Sequence, residues 1–181
     1  MKKVNVFLAE GFEEVEALTV VDYLRRAEID VNMVSITGDI YVKGAHDIIV
    51  KADILFEEME NEADMLVLPG GMPGTLYLKE HEGLKKLLIK YYEENRYISA
   101  ICAAPTVFGA NGFLKDRNAV CYPGMEDGLY CKNIPDDKVV TDGNITTSKG
   151  PGTAVLFALR LISLLHGQEM ESKIRKSIIL D

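Results

Sequence analysis

Cys102 stands where the run Tyr97-Ile98-Ser99-Ala100-Ile101 gives way to Ala103-Ala104-Pro105-Thr106-Val107-Phe108. The first run reads as a short buried strand and the second as the start of a helix, with Pro105 tolerated in its first turn. A cysteine on such a turn faces the helix N-terminus, where free N–H groups and the macrodipole favour a thiolate. The nucleophile of α/β-hydrolases occupies a sharp turn of the same kind. A buried packing cysteine would have the same surroundings, since free cysteine is among the most buried residue types. Position alone leaves both readings open.

Other residues of suitable chemistry lie elsewhere in the chain. Glu10-Gly11-Phe12-Glu13-Glu14-Val15-Glu16 follows an apolar run, and acidic residues at a helix start are favoured by the dipole without any catalytic role. Glu16 differs because it shares a face with Val20, Tyr23 and Ala27, at the margin of the buried stripe. A carboxyl desolvated there tends to keep its proton and to donate a hydrogen bond to a nearby thiolate. Gly70-Gly71, after the run Met65-Leu66-Val67-Leu68, can bring backbone N–H groups against a ligand oxygen, or can simply form a tight turn. His46, in Gly44-Ala45-His46-Asp47, is placed at the border of a site. So are Tyr122, in Cys121-Tyr122-Pro123-Gly124, and Lys149, in Ser148-Lys149-Gly150-Pro151-Gly152-Thr153. That last segment lacks the spacing of a P-loop or a dinucleotide fingerprint. His81 and His166 read as solvent-facing or helix-end residues, and Cys121 and Cys131 as packing cysteines.

The elements that must position these groups follow from periodicity. Residues 4–9 and 31–36 read as strands. Between them Ala17, Val20, Val21, Leu24 and Ala27 recur at helical spacing. Tyr41-Val42 and Ile48-Ile49-Val50 suggest a small hairpin outside the main sheet. Residues 65–68 form a strand ended by Pro69-Gly70-Gly71, and residues 76–94 a helix with Leu84, Leu87, Leu88 and Tyr91 on one face. From 118 to 147 the pattern turns β-rich, with a hairpin at Asp142-Gly143-Asn144. The helix opened by Pro151-Gly152-Thr153 is apolar nearly all round, which predicts burial in the core or at a subunit contact. A last amphipathic helix covers 168–176. Strands alternating with helices define an α/β domain with a mainly parallel, doubly covered sheet. Ligands in such folds sit beyond the carboxyl ends of the strands. That rule gathers the loop after Leu8, the loop after Leu68 and Cys102 at one edge.

A chain of 181 residues without a linker is expected to form one domain spanning 1–181. A net charge of −8 and the lack of any Lys/Arg cluster argue against nucleic-acid partners. Three cysteines without close spacing suggest neither a disulfide framework nor a zinc site. The segment Ala154–Leu165 is interrupted by Arg160 and is too short for a bilayer, so no membrane partner is expected. The opening Met1-Lys2-Lys3-Val4 is followed too soon by Glu10 to read as a secretory leader. The expectation is a cytoplasmic protein with reduced thiols.

Taken together, Gly11-Phe12-Glu13-Glu14-Val15-Glu16, Leu68-Pro69-Gly70-Gly71, Ala100-Ile101-Cys102-Ala103-Ala104-Pro105 and Thr147-Ser148-Lys149-Gly150-Pro151-Gly152-Thr153 resemble the ThiJ/PfpI superfamily. The similarity is closest to its DJ-one branch, the group of the parkinsonism-associated protein deglycase, and runs along essentially the whole chain. The resemblance implies a flavodoxin-like three-layer sandwich and a homodimer. It implies a reactive Cys102 hydrogen-bonded to a protonated Glu16, with amides of Gly70, Gly71 and Ala103 as oxyanion donors. It implies no cofactor and no metal. The protease-like branch has a histidine directly after the cysteine; Ala103 stands there, so peptidase activity is not expected. Animal members have a histidine just before a proline near the cysteine, and Tyr122 takes that place before Pro123.

The function implied is a glyoxalase or deglycase acting on small carbonyl substrates such as methylglyoxal, or on glycated adducts. A thiol redox sensor or redox-regulated chaperone without turnover is the alternative. A small-molecule hydrolase or amidase would need a base that the sequence does not offer.

Overall fold

The computed structural model describes residues 1–60 and 62–180. Its centre is a seven-stranded sheet built from β1 (Lys3–Leu8), β2 (Asp30–Ser35), β5 (Ile54–Leu55), β6 (Met65–Leu68), β7 (Tyr97–Ile101), β8 (Val139–Asp142) and β9 (Ile145–Ser148). The spatial order is β5-β2-β1-β6-β7-β9-β8, and all neighbours are parallel except the β8–β9 hairpin. The expected excursion exists as a separate antiparallel pair, β3 (Tyr41–Lys43) and β4 (Ile49–Lys51).

Both faces of the sheet are covered, which is why its strands are apolar on alternate and intervening positions alike. Val4, Val6, Leu8, Met65, Val67 and Ile101 face α1 (Glu14–Arg26), α5 (Ala154–His166) and α6 (Gln168–Ser177). Phe7, Leu66, Leu68, Ile98 and Ala100 face α2 (Gly74–Glu80), α3 (Glu82–Glu93) and α4 (Pro105–Ala110). In α1 the buried stripe is Ala17, Val20, Val21 and Leu24, and acids in the first turn and Arg25 and Arg26 in the last complement the dipole. This is the flavodoxin-like three-layer α/β sandwich that the sequence led us to expect. No helix among the described residues is long and apolar enough to cross a membrane.

Two expectations need correction. The helix foreseen over 76–94 is two helices, because His81 takes an extended conformation and its ring accepts the Leu84 N–H at 3.0 Å, capping α3. The region 118–138 is mostly irregular: among its described residues only an isolated bridge, Asn118 to Asn133, and a short 3₁₀ turn at Glu126–Gly128 are regular. Pro123, Gly124 and Pro135 interrupt any ladder there. The two-residue strand β5 was not foreseen. The apolar α5, for its part, is accounted for inside the chain, with Phe157, Ala158, Leu161 and Ile162 buried in the core.

The chain runs β1, β2, β5 outward on one side, then returns to β6 and runs outward on the other. The reversal between β1 and β6 opens a crevice at their carboxyl ends. The segments after Leu8 and Leu68 flank that crevice, and Cys102 follows the strand beside β6.

Candidate active site

Cys102 directly follows β7 and lies in the left-handed region, with φ of 65°. A side-chain-bearing residue there costs roughly 1–2 kcal/mol, and the surroundings must hold it. They do so from both sides: the Cys102 N–H donates to the Ser148 carbonyl at 3.0 Å, and its own carbonyl accepts the Tyr122 N–H at 2.8 Å. The residue is only 9% exposed, so the side chain is largely shielded from solvent.

Glu16 approaches from α1 and is fully buried. Its Oε2 accepts the Gly70 N–H at 2.8 Å, while Oε1 is buried without a partner in strict hydrogen-bond geometry. Burial pushes this carboxyl up to about 7 against the pull of the Gly70 amide and the Cys102 thiol. Burial likewise pushes the Cys102 thiol up to about 12, with the neighbouring Glu16 charge adding to it; the Ala103 and Gly71 amides pull the other way. Two acids packed together in this way hold at most one negative charge between them. Thiol with carboxylate and thiolate with carboxylic acid differ only by the position of one proton; the first is favoured, and the two amides at the sulfur offset part of the cost of the second.

Gly70 fits between these groups because it lacks a side chain. A Cβ there would stand 2.6 Å from Cys102 Cβ and 2.8 Å from Glu16 Oε2. Gly71 has φ of 89°, and a Cβ on it would lie 2.4 Å from the Glu13 nitrogen. The glycine pair thus brings its backbone into close contact with Cys102, Glu16 and Glu13. Their amides divide the work differently from the expectation: the Gly70 N–H is already given to Glu16, and the amides directed at the sulfur are those of Gly71 and Ala103.

The three residues set at the border fall out unequally. Tyr122 reaches Cys102 through its backbone, and its ring lies over Gly150, whose Cβ would be 3.3 Å from Cδ2. Lys149 pairs with Asp136 at 2.8 Å. His46 turns to the start of α1, where Nδ1 lies 2.9 Å from Glu14 Oε2. Cys121 is buried in the opposite layer with Phe113 and Leu114, and burial pushes its thiol up to about 12. Sequence reasoning missed the Ser148 carbonyl, which fastens the Cys102 backbone; a main-chain acceptor leaves no residue-type signal.

With this geometry in view, the relatives are informative. The sequence model of the DJ-1/PfpI family matches residues 2–164, and the chain belongs to that family. Protein DJ-1 homolog A of Arabidopsis thaliana is 36% identical over 180 residues, covering 98% of this chain and 46% of its own length. The chain therefore spans about half of that relative. A Caenorhabditis elegans relative named glutathione-independent glyoxalase DJR-1.2 is 33% identical over 175 residues, covering 94% of this chain and 92% of its own length. The crystal structure of Drosophila melanogaster DJ-1beta superposes with a TM-score of 0.96 at 35% identity, covering 99% of this chain and 98% of the other.

The packing around Gly70 gives a first prediction. Gly70→Ala is expected to cost about 1–3 kcal/mol of stability and to alter the alkylation rate of Cys102, because Cys102 or Glu16 must move. Thermal melts and iodoacetamide kinetics would check this, and an alanine tolerated without effect on either would contradict the close approach.

The second concerns pH. A carboxyl raised from its ordinary 4.5 to about 7 keeps its proton in the folded chain where the unfolded chain has lost it. Its contribution to stability is complete below the lower value and is lost as pH rises through the upper one. Glu16→Gln stays neutral throughout. Between about pH 4 and pH 8 the stability difference should move in its favour by on the order of 3 kcal/mol, as read by urea titration. A difference that stays flat with pH would mean that the carboxyl is not raised.

Proposed function

We propose that this chain is a cysteine-dependent, cofactor-independent glyoxalase of the glutathione-independent kind, acting on methylglyoxal and similar small 2-oxoaldehydes. The observation that carries the reading is a fully buried Glu16 carboxyl, held near neutrality, packed with Gly70 against a cysteine in the left-handed conformation. The name of the Caenorhabditis elegans relative supports it. The 9% exposure of Cys102 favours a small free aldehyde over an adduct carried on a protein side chain, which makes a protein deglycase the less suited variant of the same chemistry.

The reaction requires no external oxidant. As the sulfur adds to the aldehyde carbon, Glu16 accepts the thiol proton, giving a hemithioacetal. The oxygen that gains charge lies within reach of the Gly71 and Ala103 amides, each such donor being worth about 3–4 kcal/mol in a preorganised site. Protonation of that oxygen leaves Glu16 ionised, and the carboxylate then takes the hydrogen of the former aldehyde carbon as a proton. The resulting enediol is reprotonated at the neighbouring carbon to give a lactoyl thioester. Water cleaves the thioester, releasing lactate and returning the thiol. The aldehyde carbon is oxidised and the ketone carbon reduced within one molecule, so methylglyoxal and water give lactate.

A second reading draws on the same donors. Amides of Gly71 and Ala103 with a protonated Glu16 would also hold the oxygens of a sulfinate on Cys102, as a redox sensor needs. The test is lactate formation from methylglyoxal, followed by NMR without glutathione. Wild-type turnover is expected to rise with pH through about 7 as Glu16 ionises. Cys102→Ser should abolish it, and Glu16→Gln should lower kcat by about 10²–10⁴-fold. Lactate from wild type and Cys102→Ser alike would sink the mechanism. No lactate from either, with peroxide oxidising Cys102 ahead of Cys121 by mass spectrometry, would establish the redox reading in its place.

The partner we propose is a second copy of the chain. Val15 on α1 and Tyr41, Ile48 and Ile49 on the hairpin leave apolar side chains exposed on neighbouring segments. Sedimentation should find a dimer that Ile49→Glu dissociates; a wild-type monomer at micromolar concentration would refute it.

A further inference from the structure

Away from the sulfur, the first turn of α1 and the β3–β4 hairpin bring three ligating side chains together. Donor atoms of Glu13, Glu14 and His46 all lie within 4.8 Å of one another. His46 Nδ1 is 2.9 Å from Glu14 Oε2 and 3.6 Å from Glu13 Oε2. Two donors bound to one metal at about 2.0–2.2 Å, at angles between octahedral and tetrahedral, are separated by about 2.9–3.6 Å. The side chains already hold the spacing of a coordination edge.

The arrangement is supported by more than proximity. The Glu14 side chain is 4% exposed, and its second oxygen, Oε1, accepts the His46 N–H at 2.8 Å and the Ile48 N–H at 3.4 Å. That leaves Oε2 turned toward His46, with its carboxylate oriented by backbone amides as outer-shell partners orient a metal ligand. Gly44 makes room for it: a Cβ there would stand 2.2 Å from Glu14 Oε1. Glu13 is anchored through its own N–H, which donates to the Gly70 carbonyl at 2.9 Å. In the single chain the His46 side chain is 68% exposed, which leaves room for further ligands. Among the described residues neither carboxylate pairs with a lysine or arginine; Lys43 of the hairpin is paired with Asp47 at 3.0 Å. Two carboxylates thus face a single imidazole.

We propose that Glu13, Glu14 and His46 form a binding site for a divalent transition-metal ion, with one nitrogen and two oxygen ligands and water in the remaining positions. This donor set suits zinc, and cobalt as its spectroscopic substitute. The ion clamps the hairpin to the start of α1. It does not involve Cys102, and the proposal stands whether or not the chain turns over methylglyoxal.

The test is a calorimetric titration of the full chain with Zn²⁺, paired with Co²⁺ absorption spectra to report the ligand type. One ion per chain should bind, with a cobalt spectrum free of the intense near-ultraviolet thiolate bands, and Cys102→Ser should leave the affinity unchanged. His46→Gln and Glu13→Gln should each weaken binding at least about tenfold. Glu13→Gln matters most, because the His46–Glu14 contact that ties down the hairpin survives in it, and an unchanged metal-free melting temperature confirms that the variant is folded. Zinc should raise the melting temperature of the wild type and not of this variant. Absence of zinc binding up to millimolar concentration would overturn the proposal. So would binding that Glu13→Gln and His46→Gln leave intact, or binding lost with Cys102→Ser.

Discussion

The structure depends on keeping one carboxyl out of water beside one thiol. An unpaired charge in such a place costs several kcal/mol, so the protein must either neutralise the acid or surround it with donors. It does a little of each. The Gly70 amide partly supports the Glu16 carboxylate, and the rest of the burden appears as a raised proton affinity. The backbone around the pair is shaped by this packing. Gly70 cannot carry a side chain, Gly71 must turn through the left-handed region, and Cys102 is held in that same region although it is not glycine.

That constraint explains why the site draws on separate parts of the chain. α1 follows β1, the glycine pair follows β6, and Cys102 follows β7, so parallel strands deliver all three to one edge. The reversal of strand order between β1 and β6 keeps the edge open where they meet. The C-terminal hairpin contributes from the same side, since β9 runs parallel to β7 and ends at Ser148, the acceptor of the Cys102 N–H.

Much of this was legible in the residues, and the gaps have physical causes. The covered strands and the stripe of α1 could be read because burial imposes periodicity. The break at His81 could not, because the leucine spacing of α3 continues upstream past it and histidine is no obvious helix breaker. The irregular stretch 118–138 carries Val120, Tyr122, Tyr130 and Ile134, which mimic strand residues, while Pro123 and Pro135 keep it from forming a ladder. Glu16 was recognisable from its place at the edge of the stripe. Its bond to an amide 54 residues away was not, since backbone donors carry no sequence signature. For the same reason Gly70-Gly71 signalled close approach without revealing which amide was already committed. His46 was placed near the chemistry, but its attachment to Glu14 depends on how the hairpin folds back over α1.

The fastening of Cys102 also bears on the order in which the protein is made. The backbone groups that hold the cysteine in its unusual conformation belong to Tyr122 and Ser148, both later in the chain. On the ribosome, Glu16, the glycine pair and the cysteine are all synthesised before the clasp exists. Until the final hairpin emerges and docks against β7, the nascent chain carries an ordinary cysteine with an ordinary backbone. The left-handed Cys102 and its packing against Glu16 therefore arise only with completion of the sheet.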